Sequence, residues 1–389
     1  MFNREKLFNV LKIYFLNKYF FLICGTILAY NSSIEVLDLN SNFWLNDQGK
    51  FYTWATMPLT CQPIWPEGPN LSKLFIICFI DLSELSFFRY ALFVYILSLY
   101  SFIFNDPFLL VFIYKISLLT IFILFFYKRI IINYGFKIFI ILFISFSYLN
   151  LFLLRESLFF LIGLTFIINF LSTKKIQKLK SKIDFYNNKT LTFYKYSCLL
   201  ALGLIRPQSI FVYLRPIYSL GFFLLLICYF MVRFLYDIQK NIQILKFFPP
   251  IEISFYQFIK IPLTSLYNIN PITKFKFYFD NGLYIEYILL FISSFFLLLL
   301  LYQIILSLFR KSFYFEHRNS IISGLLLILF IYSYKSIFID IRIFISLLAP
   351  FYLFLNKKMF NFKIIICFLI FLISIDFIKT LFDTLVLKV

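Results

Sequence analysis

The sequence predicts an all-α, polytopic integral membrane protein with about 10–12 transmembrane or re-entrant helices. Three observations carry that prediction. The 389 residues are 62% hydrophobic and 14% charged, with a mean hydropathy of +0.89, which is far from the composition of a soluble domain. Apolar runs of about 17–25 residues recur from end to end, the length that crosses a hydrocarbon core of about 30 Å. The 37 Lys and Arg outnumber the 18 Asp and Glu, and they fall in short clusters between the apolar runs, as topology signals do.

The first helix, about 11–30, follows Arg4 and Lys6 and carries Lys12 and Lys18 in its first half. This basic flank predicts a cytoplasmic N-terminus and a retained helix rather than a cleaved signal peptide. The segment at about 31–72 then lies outside, in keeping with Glu35, Asp38, Asp47 and Glu67 against the single Lys50. The stretch at 71–86 is too short and polar for a comfortable span. Spans follow at about 87–104 and 107–127, before Lys128 and Arg129 mark a return to the cytoplasm.

With 128–137 and the basic loop at about 172–195 both inside, the spans at about 138–154 and 157–171 form a hairpin. Its outward tip is predicted to be Arg155 and Glu156 in "LFLLRESLFFLIGL". The stretch "YSCLLALGLIRPQSIFVYLRP" at 196–216 reads as a broken or re-entrant segment, because Pro207 and Pro216 push Arg206 and Arg215 out of helical geometry. After a span at about 216–235, a second external loop is expected at about 237–283. The spans at about 284–308, 320–338, 343–356 and 363–381 are separated by basic clusters at 310–318 and 357–363, with Asp340 and Arg342 outside between them. One integral membrane domain covers 1–389, with no separate soluble domain.

The net charge of +19 is dispersed among these clusters rather than gathered in a groove, so no nucleic-acid partner is expected. Of six cysteines only Cys61 falls in a long polar loop, which implies no disulfide framework. The chain has no glycine-rich phosphate loop, no HExxH and no Cys/His set at metal spacing, so neither metal nor cofactor is expected. His317, the one histidine, reads as a solvated cytoplasmic loop residue.

What remains is a set of charges assigned to one face: Asp47, Arg155, Glu156, Arg206, Arg215 and Arg342. Guanidinium forks match phosphate oxygens in pairs and never deprotonate, so arginines converging at a membrane surface suit a lipid phosphate or pyrophosphate. The bland alternative for each arginine alone is an interfacial anchor. Arg155 and Glu156 are neighbours, about 100° apart on a helix, so each calls for its own partner. Asp47 and Glu156 are the carboxylates placed to act as a general base, although a solvated loop aspartate is the plainer reading of Asp47.

In order, "NDQGKFYTWA", "LLRESLFFLIGL", "LIRPQS" and "IRIFISLLAP" resemble the bacterial polysaccharide repeat-unit polymerases of O-antigen and capsule synthesis, the Wzy- or EpsG-like proteins. Those are similar in plan to GT-C-type membrane glycosyltransferases. The resemblance covers roughly residues 40–352 and rests on the order and shared sidedness of short motifs. Many EpsG-like members carry a histidine near the position of Arg206, so no histidine-dependent role carries over.

The resemblance implies transfer of a glycan from polyprenyl pyrophosphate to a hydroxyl of another lipid-linked repeat unit, at the outer face of the bacterial inner membrane. Arg155, Arg206, Arg215 and Arg342 would hold the pyrophosphate, and Asp47 or Glu156 would orient or deprotonate the hydroxyl. Beyond the lipid-linked oligosaccharide and membrane lipid, a chain-length regulator and a flippase are the partners it implies. Two other readings remain open: a GT-C-type transferase using a polyprenyl-phosphate sugar, and a flippase or transporter of lipid-linked oligosaccharide.

Overall fold

A computed structural model describes residues 4–38, 91–171, 188–239, 270–309, 317–334 and 340–356, together with Gln48, Gly49, Tyr52, Thr264, Ile366, Ile370 and Ser374. Among the described residues all regular structure is helical and no strand occurs. Three helical stretches, Lys18–Leu37, Pro107–Tyr134 and Tyr284–Phe309, are long and apolar enough to cross a membrane, as a polytopic membrane protein requires. Shorter apolar helices fill the space between them. Asp47, the 71–86 stretch, most of both predicted external loops and most of the last predicted span lie outside the described residues.

The first part of the bundle packs α1 (Arg4–Ile34), α3 (Pro107–Tyr134) and α4 (Phe136–Asn150) together, with α2 (Ala91–Ile103) preceding α3, and the buried core continues from there into the later helices. The boundaries of α3 are local. Asp106 caps its start by accepting from Leu109 N at 2.8 Å, and Pro107 occupies the first helical position, where a missing N–H costs nothing. Its end is Gly135, at φ +98°, a conformation that side chains with a Cβ rarely adopt. That single residue turns the chain back into α4.

The two helices therefore run antiparallel, and their rings interlock. Phe122 stacks on Phe146 with centroids 4.8 Å apart, while Tyr127 meets Phe139 edge-on at 4.9 Å. Helix α1 lies antiparallel to α3, with Phe21 near Tyr127 and Tyr30 near Phe112. Close approach is possible there because residue 25 is glycine: a Cβ at Gly25 would stand 2.6 Å from the Leu119 side chain.

A turn over residues 151–154 leads into α5 (Arg155–Phe166), which continues as a π-helical stretch, Ile167–Leu171. The ring contact between Phe146 and Phe160 closes this second hairpin. Next, α6 (Asn188–Ile205) stops at Arg206, a 3-10 turn spans Pro207–Val212, and α7 (Pro216–Gln239) begins after the three residues 213–215. Arg206 is extended at φ −153°, ψ 86°, as a residue before proline should be.

The remaining elements are α8 (Phe275–Asp280), α9 (Tyr284–Phe309), α10 (Arg318–Tyr334) and α11 (Ile341–Leu348), the last running into a 3-10 turn, Ala349–Phe354. Helix α9 packs on α4, and α10 packs on the Pro207–Val212 turn. A Cβ at Gly324 would lie 2.6 Å from Val212 N, so only glycine lets α10 reach that backbone.

Several predicted boundaries change. Helical structure runs from the first span to Leu37, so the loop predicted from residue 31 begins later. The basic loop predicted to residue 195 already turns helical at Asn188. The second predicted loop, 237–283, contains the last residues of α7 and all of α8. At Leu37, Asn188 and the end of α7 the polar flank of an apolar run is itself helical, because helix formation propagates past the hydrophobic stripe that announces it, whereas α8 is a separate short helix divided from α9 by a turn at Gly282.

Candidate functional site

The Arg155–Glu156 pair is not the exposed tip of its hairpin. The tip is the 151–154 turn, and the pair opens α5 inside the protein, with Arg155 8% and Glu156 7% exposed. The sequence reading is corrected here: proximity to a helix end does not give these charges an exit to water, because neighbouring elements close over them.

Their partners come from the helix break. Arg206, 2% exposed, pairs through Nη2 with Glu156 Oε1 and donates through Nη1 to Tyr332 Oη at 3.1 Å. Arg155 donates through Nη1 to the carbonyl of Ile205 at 3.0 Å, an acceptor at the end of α6. The Arg155 Nε to Glu156 Oε1 separation is 3.9 Å. The adjacent residues are thus held mainly by different partners, and Arg206 is a buried cluster member rather than an interfacial anchor.

Among the described residues the cluster brings together two guanidiniums and one carboxylate. Glu156 Oε2 is buried without a hydrogen-bond partner, as is the Ser209 hydroxyl one turn beyond Arg206. A carboxylate oxygen so placed accepts a proton donor that reaches it, and guanidinium forks match the paired oxygens of a phosphate group.

Arg342 stands at the same end of the molecule. Its guanidinium lies 4.9 Å from the Phe152 ring centroid, above the hairpin turn. It also pairs with Asp340 at 2.6 Å, whose side chain caps α11 by accepting from Arg342 N at 2.8 Å. Desolvation tends to raise the Asp340 carboxyl, but the charge and hydrogen bonds of Arg342 outweigh it and hold the group below its ordinary value. Arg215 is exposed at the start of α7, and its side chain joins none of these contacts. Asp47 lies outside the described residues, but its neighbour Gln48 is buried and accepts from Leu153 N at 2.6 Å.

Sequence reasoning missed Lys115. Only 1% exposed within α3, its ammonium donates to Leu151 O at 2.7 Å, Ser32 Oγ at 2.8 Å and Ser32 O at 3.1 Å. It ties the end of α1 to the turn that launches Arg155. The available signal was a single charge inside the apolar run "PFLLVFIYKISLLTIFILFF", which by default marks a paired, interior-facing group. Tyr332 offered no such signal, because an aromatic in an aromatic-rich chain looks like any other.

Among the described residues, several charges sort to two ends. The 151–154 turn, Gln48, Arg206 and Arg342 share one end. Exposed Lys128 and Arg129 close α3 at the other, where Arg129 lies within electrostatic reach of Tyr194 near the start of α6. Arg318 belongs to this second end, donating to the Ser307 carbonyl late in α9. Among the described residues no group of His, Cys, Asp and Glu could hold a metal ion.

No protein-family model, curated protein or solved structure matches this chain.

Proposed function

We propose that this protein is a polymerase of lipid-linked oligosaccharide repeat units, acting at the outer face of a bacterial inner membrane with its N-terminus in the cytoplasm. The observation that carries the reading is the Arg155–Glu156–Arg206 cluster. Two arginines and a carboxylate with one unpaired oxygen meet where a helix starts and another breaks, with Arg342 over the adjoining turn. Pyrophosphate is a dianion or more, and a fork of fixed guanidiniums stabilises its charge as it leaves the sugar C1.

On this reading Arg155, Arg206 and Arg342 hold the pyrophosphate. Arg215, which stands apart, has a weaker claim. Glu156 Oε2 accepts from the incoming hydroxyl, and Asp47 is the second candidate for that role. Pyrophosphate is already a good leaving group, so the transfer calls for no nucleotide.

The test is a strain in which the chromosomal copy carries Arg155→Lys, chosen because it keeps the buried charge while removing the fork. The expected outcome is loss of long-chain glycan with single repeat units accumulating on the lipid carrier, at wild-type protein abundance. Long chains at wild-type length would overturn the proposal. A single-sugar transferase instead predicts a truncated repeat unit, and Asp47→Ala as the more damaging change. A transporter predicts complete units retained on the cytoplasmic leaflet.

A further inference from the structure

Beside the hairpin turn, away from the charge cluster, the seam between α1, α3 and α4 encloses a small cavity. Gly25 and Ala29 of α1, Leu119 of α3, and Ser147, Asn150 and Leu151 line it. It offers about 10 Å³ of room for the centre of a water-sized molecule, about what one water needs. Two buried polar atoms belong to its lining residues and have no hydrogen-bond partner in the protein: the Ser147 hydroxyl and Asn150 Oδ1. Ser147 and Asn150 are 4% and 6% exposed and stand three residues apart on α4, on one helix face.

The surrounding hydrogen bonds explain why these atoms are left over. Asn150 spends its amide on Lys115 O at 3.1 Å, leaving the Oδ1 acceptor open. Lys115 has three N–H bonds to give, and all three go to Ser32 and Leu151. No lysine proton remains for Asn150. Leaving a buried polar atom unsatisfied costs about 1–3 kcal/mol, a cost that a molecule both donating and accepting removes.

We propose that this seam binds one ordered water molecule, which donates to Asn150 Oδ1 and hydrogen-bonds to Ser147 Oγ. An ion is disfavoured: the site offers two neutral oxygens, and the ammonium of Lys115 lies close by. The water completes a polar chain from Ser32 through Lys115 and Asn150 to Ser147. That chain fastens α1 and α3 to the end of α4 immediately before the turn. The small residues Gly25 and Ala29 have a second use here, since bulk at either would fill the space.

The inference is independent of the proposed activity and is tested without it. The full-length protein in nanodiscs is exposed to an X-ray pulse, which splits bound water into hydroxyl radicals in place, and the labelled side chains are read by mass spectrometry. Leu119, 1% exposed, is expected to be labelled, whereas Leu97, 0% exposed and outside the cavity lining, is not. In the Ser147→Ala/Asn150→Leu double variant the Leu119 label is lost. Leu119 as unreactive as Leu97 in the wild-type protein would overturn the site. So would a label that survives in the double variant, because bulk solvent rather than a bound molecule would then be its source.

Discussion

Glu156 is the residue on which the charge cluster depends. Removing one partner of a buried pair leaves the other uncompensated, at about 3–5 kcal/mol, whereas replacing both with apolar groups is close to neutral. Glu156→Ala, which leaves the buried Arg206 without the carboxylate it pairs with, should therefore destabilise the purified protein by that amount in detergent unfolding. Glu156→Leu/Arg206→Met should recover most of the loss in the same assay while remaining inactive. A double variant as unstable as the single one would show that the pair is not the buried unit described. Activity comparisons at Glu156 need normalising to folded protein for the same reason.

Asp340 gives a pH test. Its carboxyl sits below the ordinary value, since Arg342 outweighs desolvation. A carboxyl depressed on folding contributes stability that is fully present above the unfolded value, about 3.9, and is lost as pH falls through the lower folded value. The melting temperature of the wild type should exceed that of Asp340→Asn by a constant margin from pH 7 to about pH 4. Below that the margin should close.

The elements most sensitive to change are those meeting at the helix break. Pro207 and Pro216 interrupt regular structure on either side of a 3-10 turn, and α10 covers that turn by backbone approach at Gly324. Gly324→Ala would push a methyl against Val212 N, and backbone cannot swing aside as a side chain can. Overpacking of this kind costs about 1–3 kcal/mol. It should also loosen Arg206, which lies between Tyr332 of α10 and Glu156. Thermal unfolding of Gly324→Ala beside Gly221→Ala, where a Cβ meets nothing within 4 Å, measures the effect; equal melting temperatures would remove the packing argument.

At the scale of the molecule, the described charges named above divide between two ends of the bundle, and the division has an experimental form. In a cysteine-free background, Asp340→Cys and Arg129→Cys should react with an impermeant maleimide from opposite sides of a sealed vesicle. Both are exposed, so labelling does not require opening the core. Labelling of both from one side would remove the topology; labelling of position 340 from the cytoplasmic side alone would remove the proposed outer-face chemistry.

Hydrophobic run length and the spacing of basic clusters were sufficient to read helical membrane architecture, the hairpin after Lys128–Arg129 and the break before Pro207 from the chain. These are local properties: a span needs a certain number of apolar residues, and a proline restricts the residue before it. Which charges would meet was not legible. Glu156 and Arg206 lie fifty positions apart, and Lys115 reaches back to Ser32 and forward to Leu151. Burial of Arg155 and the seam between α1, α3 and α4 follow from how helices pack on one another. That packing is set by many side-chain shapes at once, which no single stretch of sequence contains.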